Sequence, residues 1–152
     1  MSMTMSSQPR QVRERPGDGV PPAVPGWRVA SARFPAVPAA VPQARRFARR
    51  HLGDPALLDR AVLLVSELAT NAVAHAGTTF EVTIVERSDA VRVEVADGSH
   101  QPPAVAFLPV DADGGRGLRI VDSLAARWGV GNRPDEPGKV VWFELQRAPA
   151  TT

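Results

Sequence analysis

The sequence lacks several features that extracellular and membrane proteins carry. Its 152 residues include no cysteine, which excludes disulfide bonds and thiolate metal sites. No apolar run reaches the length that a membrane-spanning helix needs. The N-terminal residues, MSMTMSSQPRQVRERPGDG, lack the apolar core of a signal peptide. We therefore expect a cytoplasmic protein that does not bind a membrane.

Acidic and basic residues are unevenly distributed along the chain. Residues 1–50 contain nine arginines and two carboxylates, whereas residues 51–152 contain nine basic and fourteen acidic side chains. A basic segment can contact nucleic acid, but a solvated tail and the basic face of a helix account for it more simply. We expect no direct nucleic-acid partner. The basic face suits an acidic protein instead, and its residues are Arg45, Arg46, Arg49 and Arg50.

The composition predicts one domain between two tails. Residues 1–25 are rich in proline, glycine, serine and arginine and bury too little apolar surface to fold, so we expect them to be disordered. Residues 26–147 are numerous enough to build one hydrophobic core, and 43% of the whole chain is hydrophobic. Residues 148–152 form a second short tail.

The segment from Leu57 to Gly77 carries the clearest pattern. Its apolar residues recur at steps of three and four, which predicts a helix with one buried stripe. The residues of the stripe are Leu57, Ala61, Leu64, Val65, Leu68, Ala72 and Val73. Asp54 and Pro55 fit the N-cap and the first helical position, and Gly77 fits the C-terminal end.

Three polar residues lie beside this stripe. Glu67, Asn71 and His75 are four residues apart, so a regular α-helix places them on nearly one face. A carboxylate, an amide and an imidazole in one line indicate a site at the edge of the buried surface. For His75, capping of the helix end is an equally good explanation.

The other segments predict five strands and two more helices. Strands are expected at Trp27–Phe34, Thr79–Glu86, Val91–Val95, Trp128–Val130 and Val140–Leu145, and the second and third form a hairpin with one buried face. One helix is expected from Val37 to about His51, and another after the glycine cluster Gly114–Gly117. This order predicts an α+β fold: a two-layer α/β sandwich with a mixed, mostly antiparallel sheet and helices on one face.

Several of these features together have the logic of a nucleotide site. Glycines before a helix N-terminus, as in Gly114–Gly117, leave backbone N–H groups free to bind phosphate. The amide oxygen of Asn71 is a hard ligand of the kind that Mg²⁺ prefers. Asp97, at a strand end, can accept a hydrogen bond from an adenine amino group. Glu67, one turn before Asn71, can take a proton from an attacking hydroxyl. The combination predicts ATP and Mg²⁺ as ligands.

The segment SELATNAVAHAG resembles the N box of the GHKL or Bergerat-fold ATPases, which include histidine kinases and gyrase. Its ELxTNAxxH form is similar to that of anti-sigma factors with serine/threonine protein kinase activity. GGRGLRIVDSLAARWGV and GKVVWFEL resemble the end of the domain in that group, especially in short ATP-binding regulatory proteins of actinobacteria. The resemblance covers about residues 30–146.

By position, the resemblance implies that Asn71 holds Mg²⁺, that Glu67 is the catalytic base for phosphorylating a serine, and that Asp97 binds the adenine amino group. It places His75 at the edge of the pocket. The residues that it places beside the phosphates are Gly115, Arg116, Gly117 and Leu118. The implied partners are a sigma factor or a STAS-type anti-anti-sigma protein, with control of transcription by partner switching. A homodimer is a further assembly that the resemblance allows.

The sequence departs from the family pattern in two motifs. The motif Asp-x-Gly-x-Gly is here Asp97-Gly98-Ser99-His100-Gln101, and the threonine or serine that many members carry near Val140 is missing. A second hypothesis therefore stays open: a catalytically inactive protein-interaction module, either nucleotide-gated or nucleotide-free. A histidine-kinase fragment is less well supported, because the residues before the domain show no heptad pattern with a phosphoacceptor histidine.

Overall fold

The computed structural model describes residues 27–99, 124–133 and 136–148. The elements in chain order are β1 (Arg28–Phe34), α1 (Ala40–His51), α2 (Pro55–Asn71), a π-helical turn (Ala72–Ala76), β2 (Phe80–Glu86), β3 (Ala90–Asp97), β4 (Arg127–Asn132) and β5 (Lys139–Gln146). The five predicted strands and the first two predicted helices are therefore confirmed. The helix predicted after Gly114–Gly117 falls outside the described residues. Within the described part, no helix is both long and apolar enough to cross a membrane.

The five strands form one sheet in the order β1-β2-β3-β5-β4. Every neighbouring pair is antiparallel, so the described sheet is more uniform than the mixed sheet that the sequence predicts. The buried residues of α1 and α2 pack on alternate residues of the strands, which places both helices on one face. The predicted two-layer α+β sandwich is confirmed.

The apolar stripe of α2 forms the centre of the core. Leu64 and Val65 are fully buried, and Leu68 is 2% exposed. They share one cluster with every second residue of the three central strands: Phe80, Val82 and Ile84 of β2, Val91, Val93 and Val95 of β3, and Val141, Phe143 and Leu145 of β5. The period of two in the strands and the period near 3.6 in the helix therefore meet at one interface.

The start of α2 is fixed to one edge of the sheet by hydrogen bonds. The side chain of Asp54 caps the helix by accepting from the backbone N–H of Ala56 at 2.9 Å, as the sequence predicts. Arg147, just after β5, donates to Asp54 at 2.8 Å and lies 3.4 Å from a carboxylate oxygen of Glu86. The same oxygen of Glu86 accepts from the N–H of Gly53 at 3.0 Å. The loop before α2 is thereby held against the ends of β2 and β5.

The end of α2 departs from the regular helix that the sequence predicts. Over Ala72–Ala76 the chain forms a π-helical turn, in which the N–H of Gly77 donates to the carbonyl of Ala72. Gly77 has φ of 67°, a left-handed conformation that suits a glycine at a helix end. A π turn contains more residues than an α turn. The four-residue spacing between Asn71 and His75 therefore does not by itself fix the face on which His75 lies.

Three further details differ from the sequence predictions. The first helix begins at Ala40 rather than Val37, because the N–H of Ala40 closes a turn on the carbonyl of Val37. Arg45 is not on the outer side of α1, since it donates a 2.9 Å hydrogen bond to Ser66 of α2. The β2–β3 hairpin has two buried faces rather than one: Val85 and Glu94, which point away from the helices, are 1% and 3% exposed.

The packing predicts a contrast between two adjacent leucines of α2. Leu64→Ala should lower the free energy of unfolding by about 2–5 kcal/mol, because it leaves a cavity in a fully packed core. Leu63→Ala, at a side chain that is 43% exposed, should change it by only about 0.5 kcal/mol. Chemical denaturation of both variants measures the difference. Equal losses of unfolding free energy in the two variants would contradict the placement of the apolar stripe of α2.

Candidate functional site

Asp97 lies at the edge of the sheet where β3 ends and β5 begins. Its Cα pairs in register with that of Lys139. The ammonium nitrogen of Lys139 lies 3.1 Å from Oδ1 and 3.0 Å from Oδ2 of Asp97. The Asp97 side chain is 4% exposed and the Lys139 side chain 14%. A carboxylate this deeply buried requires a counter-charge, and Lys139 supplies it.

The residues after Asp97 form a tight hydrogen-bonded turn. The N–H of Ser99 donates to Oδ1 of Asp97 at 2.9 Å, and the N–H of Gly98 donates to the hydroxyl of Thr78 at 2.8 Å. Ser99 stands where the family motif has its first glycine. Among the described residues no residue other than glycine has a positive φ, so Ser99 forms this turn without backbone strain.

Gly138 allows β5 to approach Asp97 closely. Its φ is 130°, and a Cβ atom built on it would lie 1.9 Å from the carbonyl oxygen of Asp97. Any side chain at this position would push the start of β5 away from the end of β3. Gly138 therefore makes the contact between Lys139 and Asp97 possible.

Glu67 and Asn71 lie in the C-terminal half of α2, the half that leads toward this edge. Thr78, which accepts from Gly98, follows the π turn and connects α2 to β2, so the C-terminal end of α2 is tied to the turn after Asp97. Both side chains are half-buried, and neither makes a hydrogen bond or ion pair to another described residue. They are one α-helical turn apart. A carboxylate and an amide are therefore available to a ligand at this end of α2.

The other predicted site residues have different outcomes. His75 is exposed on the π turn, and its predicted place at the pocket edge stays a prediction. The predicted phosphate-binding residues, Gly115, Arg116, Gly117 and Leu118, lie outside the described residues. The roles given to Glu67, Asn71 and Asp97 also stay predictions.

The described residues contain no group of three or more histidine, aspartate or glutamate side chains that could hold a metal ion by themselves. This arrangement still fits Mg²⁺ as nucleotide sites bind it, since there the ion takes one or two protein ligands and completes its shell with phosphate oxygens and water. The half-buried amide of Asn71, without a described hydrogen-bond partner, is suited to be one such ligand.

Lys139 is a site residue that the sequence reasoning missed. That reasoning looked for a polar group near Val140, but the strand register pairs Val140 with Ala96, on the face away from the helices. Lys139 pairs with Asp97 and shares its face. The alternation of side chains along β5, counted from the buried Val141, would have given this position.

A cavity of about 520 Å³ lies at the opposite edge of the sheet from Asp97. Arg28, Glu86, Arg87 and Arg147 are among its lining residues. Arg147 is already paired with Asp54 and Glu86. Arg87 is already paired with Glu144. None of the predicted site residues lines this cavity.

Comparison with known families agrees with the fold. The sequence model of the histidine kinase-like ATPase domain matches residues 31–145, which is most of the chain. A search of curated proteins finds no significant match. The chain thus belongs to the histidine kinase-like ATPase domain family, the GHKL type that the N-box resemblance indicates. It is an ATP-binding domain of the regulatory kind found in that family.

The contact between β5 and Asp97 can be tested at Gly138. Gly138→Ala should destabilise the fold by about 1–3 kcal/mol, because its Cβ collides with the backbone of Asp97 and the glycine conformation is strained for alanine. Gly53→Ala is the control: its Cβ would meet only Glu86, at 3.8 Å, so its stability should change by about 0.5 kcal/mol or less. Thermal unfolding measures both. A Gly138→Ala variant as stable as Gly53→Ala would contradict the close approach.

Proposed function

We propose that this protein is an ATP-dependent serine/threonine protein kinase that acts as an anti-sigma factor. The observation that carries the proposal is the pair Glu67 and Asn71, half-buried, one helical turn apart and without described polar partners. The end of their helix leads to Thr78, which accepts a hydrogen bond from the turn after Asp97. Membership of the histidine kinase-like ATPase family supports ATP as the phosphate donor. The serine of a STAS-type anti-anti-sigma protein is the proposed acceptor.

The proposed chemistry assigns one task to each of these residues. Asp97 accepts a hydrogen bond from the adenine amino group and fixes the base. Asn71 holds Mg²⁺, which neutralises charge on the phosphates when bound. Glu67 takes the proton of the serine hydroxyl as the serine oxygen bonds to the γ-phosphorus and the bond from that phosphorus to the β-phosphate oxygen breaks. The products are a phosphoserine and ADP.

The outer face of α1 is the proposed contact for a protein partner. Arg46, Arg49 and Arg50 are exposed and make no ion pair with any described residue. Unpaired arginines on one helix favour association with an acidic surface, mainly by raising the association rate. A sigma factor or a STAS-type protein with an acidic face would meet this requirement.

A second function, a nucleotide-gated interaction module without turnover, also has a specific observation in its favour. Both carboxylate oxygens of Asp97 already accept hydrogen bonds from Lys139 in this structure. A carboxylate that is already paired within the chain can stabilise the fold without binding nucleotide tightly. The two functions differ in whether phosphate reaches a protein acceptor.

Calorimetric titration of ATP with Mg²⁺ tests the site. Asn71→Ala should weaken Mg·ATP binding by about tenfold or more, which corresponds to ~1.4 kcal/mol, because one ligand of the ion is lost. In EDTA the variant and the wild type should bind ATP alike. Asp59→Asn, at an exposed position of the same helix outside the N-box motif, is the control and should bind as the wild type does. An Asn71→Ala variant with unchanged Mg·ATP affinity would contradict the assignment.

Phosphate transfer to STAS-type proteins of the same organism tests the activity. Glu67→Gln should leave ATP binding intact and slow formation of phosphoserine by about 100-fold or more, since the general base is removed. Asp59→Asn, at an exposed carboxylate of the same helix, should transfer at the wild-type rate. Mass spectrometry of the acceptor gives the rate. Undiminished transfer by Glu67→Gln would exclude Glu67 as the base, and wild-type protein that binds ATP but transfers to no acceptor would favour the interaction module.

A further inference from the structure

We propose that Lys139 determines specificity for the base of the nucleotide by donating a hydrogen bond to ring nitrogen N1 of adenine. The adjacent amino group of the base donates to Asp97. The inference rests on the proposed ATP site at Asp97 and adds to it a residue that would distinguish adenine from other purines. The observation behind it is the buried contact between Lys139 and Asp97, with distances of 3.1 and 3.0 Å to the two carboxylate oxygens.

The hydrogen bonds around Asp97 leave room for one more donor. Oδ1 accepts from the N–H of Ser99 and from Lys139, whereas Oδ2 has Lys139 as its described partner. A carboxylate oxygen has two lone pairs, so one on Oδ2 stays open. The ammonium of Lys139 has three N–H donors, of which Asp97 takes at most two. The pair therefore offers one acceptor and one donor side by side.

Adenine has the complementary arrangement on one edge. Its amino group is a donor, and the adjacent N1 is an acceptor, so both can bond to the pair at once. Guanine and hypoxanthine carry an oxygen acceptor and an N1–H donor in those places. With the ribose and phosphates held in the same position, their carbonyl oxygen would face Oδ2 of Asp97, and their N1–H would face the ammonium of Lys139. Both contacts are repulsive.

A base that docks on the intact pair is favoured over one that displaces Lys139. Removing one partner from a buried ion pair leaves an uncompensated charge, and that costs far more than a single hydrogen bond from the base would return. The Lys139 side chain is more exposed than that of Asp97, at 14% against 4%, so the cation of the pair is the more accessible to a ligand. Both side chains lie on the face of the sheet that carries the helices.

Among the residues that the structure describes, the other cation near this edge is already engaged. Arg133 is paired with Glu136 at 3.2 Å. Lys139 is therefore better placed than Arg133 to donate to N1 of adenine, because it lies against Asp97, the proposed acceptor for the adjacent amino group.

Binding of three nucleotides to two variants tests the proposal. The nucleotides are ATP, 1-deaza-ATP, which has a C–H in place of N1, and inosine triphosphate, which differs from ATP only on the edge in question. Wild-type protein should bind ATP about tenfold more tightly than 1-deaza-ATP, as one hydrogen bond to a charged group provides. Lys139→Met should bind ATP and 1-deaza-ATP equally, at the weaker level. Arg33→Met, which removes an arginine that is 66% exposed on another strand, should behave as the wild type does.

A measurement on the unchanged protein guards against loss of folding in Lys139→Met. Lys139 is the only lysine of the chain, so selective ¹⁵N labelling of lysine side chains gives one ammonium resonance. ATP should shift this resonance, whereas 1-deaza-ATP at saturation should shift it much less. Inosine triphosphate should compete poorly with ATP for the same site.

The outcomes separate this proposal from the proposed function. The role of Lys139 would be overturned if the Lys139→Met variant kept the tenfold preference for ATP over 1-deaza-ATP. It would also be overturned if that variant bound ATP more tightly than the wild type. Either result would leave the proposed ATP site unaffected. An ammonium resonance that responds equally to ATP and 1-deaza-ATP would do the same. Wild-type protein that binds none of the three nucleotides would overturn the ATP site and this inference with it.

Discussion

Burial of the apolar stripe of α2 against both α1 and the sheet is the constraint on which the rest of the structure depends. It fixes the rotation of the helix, because Leu64 and Leu68 can face the strands only if Glu67 and Asn71 lie at the margin of the buried surface. Hydrogen bonds tie the segments flanking α2 to opposite edges of the sheet: Arg147 and Glu86 hold the start, and Thr78 holds the end. Two polar residues are thus positioned by apolar packing.

The contact between Asp97 and Lys139 adds a second requirement, an electrostatic one. A buried carboxylate is costly without a counter-charge, and the counter-charge comes from β5, which lies between β3 and β4. The strand order, the glycine at position 138 and the polarity of the site therefore depend on one another. In the proposed ATP site, the same ion pair stabilises the sheet edge and presents the hydrogen-bonding groups that select the base.

Family membership and activity rest on different evidence in this protein. The match over residues 31–145 and the antiparallel α+β sandwich establish a histidine kinase-like ATPase domain. A fold of this kind carries more than one activity, so the activity has to be argued from the site. Here Glu67 and Asn71, which have no described polar partner, favour phosphate transfer. The pairing of Asp97 with Lys139 favours the alternative, an inactive interaction module. Measurement of phosphate transfer decides between them.

The sequence by itself determined the local elements, because their signals are local. The helical period, the cap at Asp54, the stop at Gly77 and the alternation along the strands can all be read within a few residues. Only the tertiary structure decided three other features. The insertion of β5 beside β3 joins segments more than forty residues apart, the π turn over Ala72–Ala76 depends on how the chain leaves α2, and the choice of Lys139 over Val140 depends on strand register. Each is set by long-range packing, and a one-residue shift in register would move a side chain to the other face of the sheet.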